Sequence, residues 1–133
     1  MGVFTQLCGA HEYEIVDEFM DHFEIMTATM APTILALGHT DTYASSVDEL
    51  FRTFHNLKSA TAYLRLEAMN RLAATIEDQL ESARSHPGPA SEGFIDWLLM
   101  VSDQFECWHG DLSGDRERFT PLNFTIFDLP EIN

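Results

Sequence analysis

The spacing of apolar residues along the chain predicts four amphipathic helices. Apolar side chains recur at every third or fourth position in four segments, as on the buried face of an α-helix. Pro32 interrupts the first pattern, so a kink near Ala31 or a new helical start is expected there, with a stop at Gly38. Because short connections join the segments, the expected fold is all-α, an antiparallel four-helix bundle. The segments cover residues 11–30, 46–64, 67–83 and 94–108.

Polar and helix-breaking residues mark the connections. Residues 39–45 are predicted to form a loop, and residues 85–93, rich in Ser, Pro and Gly, form a linker. Ser46, followed by Glu49, has the spacing of a capping box and predicts a helix that begins there.

The last part of the chain carries no helical pattern. Gly and Pro interrupt it, and residues 122–126 alternate only weakly, as a short strand would. A tail that packs on the bundle, or a linker, is the preferred interpretation. The predicted organisation is therefore a bundle over residues 1–110 and a tail over residues 111–133.

Composition and charge narrow the class of protein. The chain has 133 residues, 45% of them apolar, which suits one soluble domain. Its net charge is −15, and the first 51 residues contain no Lys or Arg, so nucleic acid and anionic membranes are not expected partners. No apolar run reaches about 18 residues, and no secretory signal is recognised, so the expected location is the cytoplasm. Cys8 and Cys107 are expected to be free thiols, and neither a metal site nor a cofactor is expected.

One histidine stands out in the second helix. Phe51, Phe54 and Leu57 are predicted to face the core, whereas His55 lies one step off that stripe, beside solvent. Lys58, the only lysine of the chain, follows one turn later. A neutral imidazole can attack phosphorus, and an ammonium can stabilise phosphoryl oxygens. An isolated histidine of this kind is more often merely solvated, so its neighbours carry the argument.

The face around His55 is suited to contact with another protein. Arg52, Ser59 and Ala62 lie on the same predicted helix face, and Leu66 lies in the following turn. Small side chains beside a nucleophile allow a partner to approach closely. These four residues are therefore candidates for partner binding.

Counting residues along the predicted helical hairpin places a carboxylate beside His55. If the connection centres near Leu66, His55 lies eleven residues before it and Glu77 eleven residues after it. The two residues are then level on adjacent antiparallel helices. A carboxylate that accepts the Nδ1–H of His55 leaves Nε2 as the nucleophile. Asp78 and Glu81 are the competing choices.

These residues carry a resemblance to a known family. The segment ELFRTFHNLK, the following Leu64-x-Leu66 and the pattern Leu72-x4-Glu77 resemble the histidine-phosphotransfer (HPt) domain. The chain is most similar to the amino-terminal phosphotransfer domain of chemotaxis-type histidine kinases, over about residues 11–110. The resemblance implies that His55 is phosphorylated, that Lys58 assists the phosphoryl charge and that Glu77 orients the imidazole.

Three positions depart from the family pattern. Ser59 and Arg65 stand where the family usually has glycine, and Ala74 replaces a residue that is often polar. Serine is small enough to preserve partner access. Arg65 suggests a turn of different shape, because a non-glycine residue with positive φ costs roughly 1 kcal/mol.

The expected function is that of a phosphoryl carrier. The resemblance implies a histidine kinase catalytic domain and a response-regulator receiver domain as partners. The chain has no Gly-rich nucleotide loop, so Mg²⁺ and ATP are expected to come with the partner, and whether the chain is part of an enzyme stays open. Two alternatives are a docking-only bundle that binds a kinase or receiver without being phosphorylated, and an acidic nucleic-acid mimic that inhibits a basic partner.

Overall fold

A computed structural model describes residues 1–133 and contains five α-helices, two short 3-10 turns and no strand. The all-α fold and the four-helix bundle are thereby confirmed; α2 to α5 form the bundle, and α1 precedes it. No helix is both long and apolar enough to cross a membrane. The helices are α1 (Val3–Ala10), α2 (Tyr13–Leu35), α3 (Thr40–Tyr63), α4 (Glu67–Ala83) and α5 (Glu92–Ser113), and the 3-10 turns are Ala36–Gly38 and Phe124–Phe127.

Contacts between neighbouring helices hold the bundle together. At the open end of the α3–α4 hairpin, the hydroxyl of Tyr43 donates to the carbonyl of Ala83 at 2.9 Å. The α2–α5 pair is joined where the rings of Phe23 and Phe105 meet, with centres 6.3 Å apart. Phe54 of α3 also contacts Phe105, so the core is continuous across the bundle. Burial of this apolar surface is the main stabilising contribution.

Helix α3 begins earlier than predicted and includes polar residues that were expected to form a loop. The predicted loop over 39–45 is wrong, because the helix starts at Thr40, and Ser46 is a buried helical residue rather than an N-cap. The reason is Tyr43, which is 4% exposed and extends the apolar stripe of Val47 backwards by one turn.

Pro32 does not end α2. The helix continues through it to Leu35, and the 3-10 turn Ala36–Gly38 then brings the chain to a stop at the predicted glycine. Of the two outcomes expected near Ala31, a new helical start is therefore wrong. The missing N–H of a proline removes one helical hydrogen bond, and the packing of Ile34 in the core holds the last turn in place.

Helix α1 is absent from the sequence prediction. Only Val3 and Leu7 are buried along it, too few to create a clear periodic signal. The carboxylate of Asp115 accepts the backbone N–H and the hydroxyl of Thr5 at 2.9 Å and 2.6 Å, which fastens α1 beside the end of α5. The hydroxyl of Thr5 also lowers the pKa of Asp115.

The residues after α5 pack along that helix. Helix α5 extends to Ser113, and the chain then runs back over two indole rings. Trp108 Nε1 donates to the carbonyl of Thr120 at 2.8 Å, and Trp97 Nε1 donates to that of Ile126 at 2.6 Å. The weak alternation over 122–126 forms a 3-10 turn instead of a strand. The division of the chain at residue 110 stays a prediction.

Candidate functional site

His55 projects from the middle of α3 towards solvent. Its side chain is 53% exposed, and its Nδ1 lies 3.0 Å from Oε2 of Glu77 on α4. An ionised carboxylate can only accept, so this contact requires the proton of a neutral ring to be on Nδ1. The other nitrogen, Nε2, has no hydrogen-bond partner within the chain and carries a free lone pair.

The turn between α3 and α4 sets the two residues at the same level. Arg65 has φ 59°, and the N–H of Leu66 donates to the carbonyl of Thr61 at 2.9 Å. This is the Schellman pattern of a helix C-terminus, in which the residue with positive φ is usually glycine. The expectation of a different turn at Arg65 is therefore wrong, because arginine itself adopts the left-handed conformation at a cost of about 1–2 kcal/mol.

Glu77 connects two cationic or ionisable groups. One carboxylate oxygen faces His55, and the other lies 2.8 Å from Nζ of Lys58. The hydrogen bond from Lys58, followed by that from His55, lowers the pKa of Glu77 although partial burial opposes the shift. The carboxylate is thus ionised at neutral pH and keeps the Nδ1 proton of His55 in place.

The competing carboxylates do not take this position. Asp78 is exposed to solvent, and Glu81 pairs with Arg84 at 3.1 Å. Lys58 is also secured through its backbone, since its carbonyl accepts the side-chain amide of Asn70 at 2.7 Å. Asn70 had no recognisable signal in the sequence, because counting from Leu66 does not place it level with Lys58.

Phe51 lies at the edge of the core, beside His55. It is half-buried against the core, as predicted, and its ring is nearly parallel to the imidazole, with centres 6.0 Å apart. The guanidinium of Arg84 lies over Phe51, with Cζ 3.9 Å from the ring centre. Phe51 and His55 are four residues apart on one helix, and this spacing could have predicted the contact between their rings. No comparable spacing predicted the contact between Phe51 and Arg84.

The four residues expected to bind a partner lie on the helix of His55 or in the turn that follows it. Arg52, Ser59 and Ala62 are exposed on α3, and Leu66 is half-buried in the turn. None of them forms a salt bridge or a side-chain hydrogen bond within the chain. Their surface is open, and their contribution to partner binding stays a prediction.

The fold and the site together define a helical bundle that presents one oriented imidazole to solvent. A family model for the Hpt domain matches residues 14–108, which is well over half of the chain. The chain belongs to the Hpt-domain family, and histidine phosphotransfer in two-component signalling is the function of that class.

The chain is also similar to a curated chemotaxis protein. The chain is 27% identical over 90 residues to chemotaxis protein CheA of Treponema pallidum (strain Nichols). The match covers 68% of this chain but only 11% of that relative. No solved structure matches the chain significantly.

Proposed function

We propose that His55 is the phosphoryl acceptor and donor of this domain. It receives a phosphoryl group from a histidine kinase catalytic domain, or from the aspartyl-phosphate of a receiver domain, and passes it to a receiver aspartate. The observation that carries the proposal is the 3.0 Å contact between Nδ1 of His55 and Glu77, which leaves Nε2 free and exposed.

The transfer can be written in bonds and protons. The lone pair of Nε2 attacks the phosphorus, an N–P bond forms, and the P–O bond to ADP or to the donor aspartate breaks. The ring keeps its proton on Nδ1 and becomes positively charged, so the neighbouring Glu77 carboxylate stabilises it. In the second transfer the N–P bond breaks, a P–O bond to the receiver aspartate forms, and the neutral ring is restored.

Lys58 supplies positive charge to the phosphoryl oxygens in this proposal. Its ammonium binds Glu77 at 2.8 Å and its side chain is 35% exposed, one helical turn from His55. A lysine side chain has enough rotatable bonds to contact a phosphoryl group at Nε2 while staying near Glu77. We infer that the partner supplies the nucleotide and Mg²⁺.

The charge distribution favours this hairpin as the face that meets a partner. Five of the seven cationic residues lie on α3, on α4, in the turn between them or directly after α4, although the net charge of the chain is −15. A partner whose phosphoryl-transfer centre is acidic is repelled least at this face. Arg52, Ser59, Ala62 and Leu66 are the proposed contacts.

Phosphorylation with phosphoramidate tests the proposal without a partner protein. Wild type is expected to take up an acid-labile, base-stable phosphoryl group, and His55→Gln is expected to take up none. His39→Gln, which removes another exposed histidine, directly before α3, serves as the matched control and keeps the label. Label that persists in His55→Gln contradicts the proposal.

The alternatives give different results in the same assay. A docking-only bundle binds a receiver or kinase domain, but wild type stays unlabelled. An acidic nucleic-acid mimic captures nucleic-acid-binding proteins, with no dependence on His55. Neither alternative accounts for the contact between His55 and Glu77.

A further inference from the structure

The imidazole of His55 is restrained on one face as well as at its edge. The ring of Phe51, one turn earlier on α3, lies at 10° to the imidazole plane with the ring centres 6.0 Å apart. This separation is typical of an offset stack. The hydrogen bond to Glu77 holds Nδ1, whereas the stack holds the ring plane and opposes a tilt of the ring about that hydrogen bond. The two contacts therefore restrain different motions.

Phe51 is itself held by a cation that is fixed from two helices. The Cζ of Arg84 lies 3.9 Å from the centre of the Phe51 ring. Its Nε donates to Asp48 of α3 at 3.2 Å, and its Nη1 donates to Glu81 of α4 at 3.1 Å. The two carboxylates orient the guanidinium over the aromatic face, where a cation is attracted by the ring quadrupole.

We propose that Phe51, held by Arg84, is a positioning residue for phosphotransfer at His55. This inference rests on the proposed function of His55. Nε2 must align with the phosphorus and the leaving oxygen. An imidazole that can take many orientations is aligned in only a fraction of its encounters with the donor, so the transfer is slower. Without the aromatic face, the ring keeps its hydrogen bond to Glu77 but swings about it.

The rate of labelling by phosphoramidate tests this role. Phe51→Leu keeps an apolar side chain but removes the aromatic face, and the rate at saturating donor is expected to fall about three- to tenfold. Phe51→Tyr restores the aromatic ring and is expected to stay within about twofold of wild type. Tyr63→Leu, which removes an exposed ring of α3 that contacts His11 instead of His55, is the matched control and keeps the wild-type rate.

Arg84 is expected to act only through Phe51. Arg84→Gln slows labelling in the wild-type background, but it has no further effect in the Phe51→Leu background, since the ring that it holds is gone. Equal effects of Arg84→Gln in both backgrounds contradict this coupling.

The spectrum of His55 provides a readout that needs no phosphoryl donor. In Phe51→Leu, the imidazole carbon-bound protons lose the ring-current shift of the phenyl group, while the ring ¹⁵N shifts still show the proton on Nδ1. Thermal unfolding of the variants checks that the bundle is intact. An unchanged imidazole spectrum overturns the proposal.

The outcomes separate this inference from the proposed function. Equal labelling rates for wild type and Phe51→Leu overturn the positioning role and leave His55 as acceptor. Equally slow Phe51→Leu and Phe51→Tyr also overturn it, because they show that an aromatic face is not what matters. Label that persists in His55→Gln overturns the proposed function instead.

Discussion

Glu77 places one carboxylate oxygen 2.8 Å from the ammonium of Lys58 and the other 3.0 Å from Nδ1 of His55. Lys58 and His55 are therefore not independent, because both bind the same acid. In the absence of a phosphoryl group, the lysine is engaged with Glu77. Its substitution changes the charge environment of the imidazole through that carboxylate as well as directly.

Lys58→Ala is expected to raise the pKa of Glu77 towards its ordinary value. The hydrogen bond from Lys58 is the largest cause of the lowered pKa, so its loss leaves the weaker effect of His55 against partial burial. A ¹³C NMR titration of the Glu77 carboxyl measures the change. Arg71→Ala, which removes an exposed cation of α4 that forms no ion pair, leaves this titration unchanged.

The same Lys58→Ala variant is expected to slow phosphotransfer. Loss of a charge-assisted contact to the phosphoryl oxygens lowers the transfer rate about tenfold or more. Lys58→Arg, which keeps a cation, recovers part of the rate. A wild-type rate in Lys58→Ala shows that the ammonium has no role in transfer.

Glu77→Ala is expected to change the tautomer of His55. Without the carboxylate, the imidazole proton distributes between Nδ1 and Nε2, and fewer rings present a lone pair at Nε2. The ring ¹⁵N shifts measure this distribution, and the rate of labelling should fall with it. Asp78→Ala removes the next carboxylate of α4, which is exposed, and is the matched control. An unchanged ¹⁵N spectrum in Glu77→Ala contradicts the orienting role.

The lowered pKa of Glu77 predicts a pH dependence of the free energy of unfolding. A carboxyl whose folded-state pKa is lowered stabilises the protein at pH values above its unfolded-state pKa. This contribution is lost as the pH falls below about 5 and through the lowered folded-state value. Lys58 and His55 are the groups whose interactions are lost. Urea unfolding at neutral and acidic pH should therefore show a smaller acid-induced loss in Glu77→Gln than in wild type; parallel curves exclude the linkage.

Arg65→Gly is expected to stabilise the α3–α4 turn. Arg65 has φ 59°, which costs a non-glycine residue about 1–2 kcal/mol, whereas glycine adds about 0.4–1 kcal/mol of unfolded-state entropy. The expected net gain in the free energy of unfolding is about 0.5–1 kcal/mol. Arg65→Ala keeps the strained backbone and loses only an exposed side chain, so it should be near neutral. Denaturant unfolding of the two variants distinguishes backbone strain from side-chain loss.

Ala62→Glu is expected to block a partner without blocking the nucleophile. Ala62 is exposed on α3, two turns beyond His55, and a larger acidic side chain there obstructs a protein but not a small donor. Transfer to a receiver domain should fall, while labelling by phosphoramidate stays at the wild-type rate. Ala44→Glu places the same charge in the first turns of α3 and should affect neither reaction. Normal transfer in Ala62→Glu removes Ala62 from the proposed contact surface.

Counting residues along the α3–α4 hairpin predicted the pair of His55 and Glu77. A hairpin with a short turn relates residues at equal distances from its centre, so counting from Leu66 placed Glu77 level with His55. The apolar period placed His55 outside the core. The same period placed Phe51 against the core but did not show that its ring also lies beside His55, because a residue at the border of the apolar stripe can contact both the core and a neighbour on its own helix.

Signals that depend on distant contacts were not visible in the sequence. Helix α1 has two buried residues and gains its place from Asp115, more than one hundred positions away. Arg84 contacts Phe51 across the hairpin, beyond the range of any local spacing rule.

The four helices of the bundle, the antiparallel order of α3 and α4 and the exposed histidine thus follow from local periodicity and turn length, which are set by the order of the residues. The direction of the Lys58 ammonium, the Arg84–Phe51–His55 stack and the path of the last twenty residues along α5 depend on how the helices rotate against one another. That rotation is set by the packing of the entire core, to which residues far apart in the chain contribute together.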